Sequence, residues 1–73
     1  MTQTEKVLEF LKAHPIGGIS QREAAELFGC YRLSARIAEL REAGYRIDTD
    51  YETGKDRFGD KVTYGRYRLR VDK

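Results

Sequence analysis

The sequence predicts an α+β fold of three short helices followed by an antiparallel β-hairpin. Three observations carry that reading. Two Ser/Thr-x-x-Glu capping boxes open apolar stretches of helical period in the first 30 residues. Glycines close the second and third stretches at Gly29 and Gly44. Beyond Gly44 the hydrophobic period changes from about 3.6 to 2 and stays there.

The first helix follows from "TQTEKVLEFLKAH", where Thr2 and Glu5 form a capping box. Val7, Leu8, Phe10 and Leu11 recur at helical spacing between charges, which predicts about ten to twelve helical residues. "PIGG" then stops it, because Pro15 cannot continue a helix and Gly17-Gly18 supply a turn.

In "ISQREAAELFG", Ser20 and Glu23 make the second box, and Ala24, Leu27 and Phe28 form the expected apolar stripe. Ile19, just before the cap, suits a hydrophobic staple or a short third strand. The third helix is expected from about Arg32 to Ala43, with Leu33, Ile37 and Leu40 on one face. Only Cys30 and Tyr31 clearly separate it from Gly29, and two short helices around a tight glycine turn form a helix-turn-helix pattern.

After Gly44, Tyr45, Ile47, Thr49 and Tyr51 alternate with charged residues, and Tyr67, Leu69 and Val71 alternate with Arg66, Arg68 and Arg70. The polar "TGKDRFGDK" between the two runs reads as a long hairpin tip over 53–61. If Ile47 lies opposite Leu69, Asp48 faces Arg68 and Asp50 faces Arg66, so Arg66 and Arg68 are read mainly as structural. Tyr45 and Tyr67 are expected on the core side of the hairpin rather than on a base-stacking platform. Three helices and a hairpin in this order make a winged helix-turn-helix, and 73 residues fit one such domain.

The composition narrows the function further. Residues 1–31 carry net charge −1 and residues 32–73 net +3, so the basic excess falls on the third helix and hairpin. One cysteine, Cys30, allows no internal disulfide and fits a reduced, cytoplasmic protein. No apolar run approaches the ~18 residues of a membrane span. His14 stands alone, and no nucleophile–base pair, metal cluster or phosphate loop accompanies it. Neither an enzyme nor a cofactor is expected.

The stretches "RLSARIAELREAGYRI" and "GRYRL" resemble the short winged helix-turn-helix DNA-binding domains of bacteriophage and prophage proteins, over about residues 3–71. The resemblance implies binding to double-stranded DNA. In one respect the chain departs from the usual spacing. The sixth residue after Gly29 is Ala35, whereas the apolar stripe falls on Leu33 and Ile37, which implies a turn of different geometry.

With the apolar stripe inward, Ser34, Ala35 and Ala38 occupy the outer face of the third helix, flanked by Arg32 and Arg36. Small central residues let a helix approach base edges, while arginines reach guanine or phosphate. Alanine and arginine are also simply good residues for a solvated helix. Tyr31 suits either a phosphate contact or packing in the turn. Ser20, Gln21 and Arg22 open the second helix, whose free N–H groups can meet a phosphate, although Ser20 also caps it.

Lys55, Arg57 and Lys61 lie in the expected tip, free to follow a backbone or enter a minor groove. Phe58 is expected to fold back on the sheet. The leading reading is therefore a sequence-specific double-stranded DNA-binding protein, a phage or prophage transcriptional regulator or recombination accessory factor. A lone domain makes few contacts, so specificity calls for a homodimer or cooperative loading. The rival reading is a protein-interaction module, such as a phage inhibitor of a host protein, to which Glu39 and Glu42 on the third helix are suited.

Overall fold

The computed structural model describes residues 1–70. The predicted hairpin residue Val71 lies outside the described residues. The elements run α1 (Gln3–Ala13), β1 (Ile19–Ser20), α2 (Gln21–Phe28), α3 (Leu33–Glu42), β2 (Ile47–Lys55) and β3 (Lys61–Leu69). One antiparallel sheet in the order β1-β3-β2 backs the helices. Three helices, the short strand at Ile19 and the hairpin therefore form as the sequence predicts.

Both capping boxes form: the Thr2 and Ser20 hydroxyls accept from the Glu5 and Glu23 backbone N–H groups, and each glutamate accepts from its cap residue. Gly29 ends α2 at φ 65°, a left-handed conformation suited to glycine. Gly18 is the more constrained position. Its φ is 63°, and a Cβ there would collide with the backbone carbonyl of Tyr67, so only glycine lets the α1–β1 turn lie against β3.

The core joins Val7 and Leu11 of α1, Ile19, Ala24 of α2, Cys30, Ile47, and Leu33, Ile37 and Leu40 of α3. Leu8, Phe10, Phe28, Tyr67 and Leu69 close its margin. Phe10 meets Phe28 edge-on, with ring centroids 5.7 Å apart. This contact turns the Ala24–Phe28 side of α2 inward and leaves Leu27, expected in the same stripe, 56% exposed. Tyr45, also expected inside, is exposed because β2 starts only at Ile47, after the Gly44 turn.

The hairpin register is the predicted one: Ile47 opposite Leu69, Asp48 opposite Arg68, Asp50 opposite Arg66. Its ion pairs are displaced to the diagonal. Arg68 pairs with Asp50, Arg70 with Asp48, and Arg66 with Glu52. Diagonal neighbours lie within reach of a long side chain. Arg66 and Arg68 also lean across β1's end, donating to the carbonyls of Gly17 and Ile16. Their structural reading stands.

The tip is shorter than predicted. Pairing continues to Lys55 opposite Lys61 and leaves only Asp56–Asp60 to turn the chain. Asp56 supplies the closure: its carboxylate accepts from the N–H groups of Phe58 and Asp60, and its own N–H donates to the Asp60 carbonyl. Phe58 does not fold back, and its side chain stands 85% exposed at the apex.

Candidate nucleic-acid interface

The turn between α2 and α3 is held by Gln21. Its side-chain Nε2 donates to the Cys30 carbonyl at 2.7 Å, and its Oε1 accepts from the Leu33 N–H at 2.9 Å. Arg32, the residue before α3, makes no side-chain cap, so the Gln21 amide caps α3 from the neighbouring helix. Both polar atoms of Gln21 are thus committed to the turn, although the residue itself stays exposed. The sequence reading assigns the phosphate contact here to the backbone N–H groups of the helix start, and these side-chain bonds do not bear on it.

Ser20 is drawn inward. It is buried, its hydroxyl caps Glu23, and it neighbours the ion pair of Glu23 with Arg66 at 2.7 Å. Burial would push the Glu23 carboxyl up, but hydrogen bonds from Ser20 and Arg66 outweigh it and hold the group below its usual range. Arg66, bonded first to Glu52 and also to Glu23, is held more firmly charged than a free arginine. The Ser20 hydroxyl is therefore taken up in capping α2.

The other candidates divide by what already holds them. Arg22 pairs with Glu26 at 3.2 Å on the exposed side of α2. Arg36 pairs with Glu39 at 2.8 Å, and Glu39 also accepts from the Thr4 hydroxyl of α1. Arg41, on α3's other flank, donates to the Ile47 carbonyl and Thr49 hydroxyl, tying helix to sheet. The side chains of Arg32, Lys55, Arg57 and Lys61 are exposed and, among the described residues, make no hydrogen bond or ion pair. These four gather at two places, the start of α3 and the end of the hairpin.

Around Arg32 the surface suits a groove-facing helix. Tyr31 is 79% exposed rather than packed in the turn, Ser34 is exposed and Ala35 half-buried. On the hairpin, Lys55 and Lys61 sit directly opposite each other. Like charges in that position cost a hairpin a few tenths to about 1 kcal/mol. The ion pairs of Asp48, Asp50 and Glu52 with Arg70, Arg68 and Arg66 lie on the opposite face of the hairpin, and among the described residues no carboxylate neutralises the two lysines.

Two residues that sequence reasoning leaves out share the lysines' face: Thr53 and Thr63, directly paired one step inward. Tyr51, beyond them, lies against Gly65 and is exposed. The signal for all three is the period-2 register, which places them on the face of Lys55 and Lys61 once the strands are known to extend that far.

An outward α3 start and an extended hairpin with exposed cations at its end are the features of a small winged helix-turn-helix protein. The chain belongs to the winged helix-turn-helix domain family, whose model matches residues 2–72. Membership of that family points to DNA as the partner. No curated protein and no solved structure matches the chain. Among the described residues no helix is long and apolar enough to cross a membrane.

Proposed function

We propose that this protein binds double-stranded DNA in a sequence-dependent way, with the first half of α3 in the major groove and the hairpin end along the adjacent minor groove or backbone. The observation that carries this reading is the placement of uncommitted cations. Six arginines and lysines are held by carboxylates within the fold: Lys12, Arg22, Arg36, Arg66, Arg68 and Arg70. Apart from Lys6 on α1, the cations without a side-chain partner among the described residues are Arg32, Lys55, Arg57 and Lys61, at the two places a winged helix presents to DNA.

The resemblance to phage and prophage domains extends the proposal to a transcriptional regulator or recombination accessory factor working in the cytoplasm as one domain. Four phosphate-facing cations give modest affinity, so homodimerisation or cooperative loading on repeated sites supplies the remaining specificity.

Salt tests the reading. With four neutralised phosphates, log K falls with log[salt] at a slope of about −3.6, a loss of roughly 150-fold between 50 and 200 mM. Fluorescence anisotropy of a labelled duplex across that range measures the slope. Binding that is absent at low salt, or indifferent to salt, contradicts it.

One observation favours a second reading, a protein-docking module such as a phage inhibitor of a host protein. Met1, Lys6, Glu9, Phe10 and Phe28 line an open, largely apolar groove of about 310 Å³ on the α1–α2 side. A protein partner seated there leaves duplex affinity unmeasurable at every salt concentration.

A further inference from the structure

Phe58 is an aromatic residue that the packing of the fold does not use. The turn from Asp56 to Asp60 is closed by backbone groups and the Asp56 carboxylate alone, at 2.9–3.0 Å. Gly59, at φ 83°, completes the reversal. The Phe58 ring takes no part in that closure and lies 85% exposed, whereas Phe10 and Phe28 pack at the core margin. The hydrogen-bonded turn holds this ring out at the apex of the hairpin, next to cations rather than to other apolar side chains.

Its surroundings indicate a polyanionic partner. Lys55, Arg57 and Lys61 surround the apex and are uncommitted among the described residues. Of the two acids there, Asp56 is occupied by the turn, and the five charges leave the tip net positive.

We propose that Phe58 is an apolar wedge that enters the minor groove of duplex DNA and unstacks a base step, bending the duplex. This rests on the DNA-binding reading and adds to it a residue that selects deformable sequence. Phenylalanine wedges of this kind kink DNA by about 20–90° toward the major groove. Pyrimidine–purine steps such as TA unstack most easily, so the wedge favours them without reading a base edge.

The chain contains no tryptophan, so F58W places a single indole at the apex. The probe is an alternating poly(dA–dT) duplex at low salt, with acrylamide as neutral quencher. End-to-end energy transfer on a doubly labelled TA-rich duplex reports bending by the wild type and by F58A. The indole is expected to become shielded from acrylamide on binding. Wild type is expected to shorten the end-to-end distance, and F58A to bind without shortening it and with affinity lower by about tenfold. Because the ring is exposed, F58A is expected to melt as wild type does, and circular dichroism checks this.

An indole still open to acrylamide on bound duplex, or equal bending by F58A, overturns the wedge and leaves DNA binding intact. Failure of the wild type to bind any duplex at low salt overturns both. A protein partner that takes Phe58 produces the first of these results.

Discussion

Replacing Gln21 with alanine separates a structural role from a DNA contact. The substitution removes a 2.7 Å bond to the Cys30 carbonyl and a 2.9 Å bond from the Leu33 N–H, both partly buried. Each bond contributes about 0.5–1.5 kcal/mol net, so the expected loss is about 2 kcal/mol. No other side chain caps α3, because Arg32 makes no cap bond, and water recovers only part of the loss. At about 4–8 °C per kcal/mol for a domain of this size, Tm falls by roughly 8–16 °C. Thermal unfolding followed by circular dichroism measures it, and duplex affinity well below Tm is expected to change little. An unchanged Tm accompanied by lost DNA affinity refutes the reasoning, since Gln21 then faces the nucleic acid after all.

Four further outcomes follow from the same geometry. Lys55→Glu relieves the like-charge pair with Lys61, so Tm holds or rises slightly while duplex affinity falls and the salt slope becomes shallower. Arg32→Ala weakens duplex binding and reduces the salt slope by about 0.9 if the side chain meets a phosphate. Gly18→Ala is expected to cost more than Gly29→Ala in denaturant melts: both glycines are left-handed, worth about 1–2 kcal/mol each, but only at Gly18 does a Cβ strike backbone.

The Glu23 carboxyl sits below its usual range in the folded state, so its stabilising contribution is complete above the unfolded pKa and is lost as pH falls through the folded one. Glu23→Gln should therefore flatten the acid limb of the Tm–pH curve. An unchanged acid limb contradicts the Ser20–Glu23–Arg66 arrangement.

Much of the fold is legible in the residues because local chemistry decides it. Thr2–Glu5 and Ser20–Glu23 announce helix starts, Gly29 and Gly44 their ends, and the alternation after Gly44 sets a register that places Ile47 opposite Leu69. What escapes the sequence depends on side chains meeting across distance. Gln21 sits at the start of a helix, where exposure is the default expectation, and only the position of Cys30 and Leu33 turns its amide inward.

The shorter tip has the same origin. "TGKDRFGDK" contains two glycines and reads as loop, yet Tyr64 covers Gly54 and the Asp56 closure lets pairing run on to Lys55 and Lys61. The candidate site was partly legible for the same reason. Arg32, Lys55, Arg57 and Lys61 are visible as charges, but which cations the fold leaves uncommitted emerges only when the carboxylates are placed.

The most direct test of the central claim is an amide NMR titration with mixed-sequence duplex DNA at low salt, repeated at physiological salt. The account expects shifts concentrated in 31–36 and 53–63, reversed by salt. Shifts confined to the groove around Phe10 and Phe28, or none at all, contradict it.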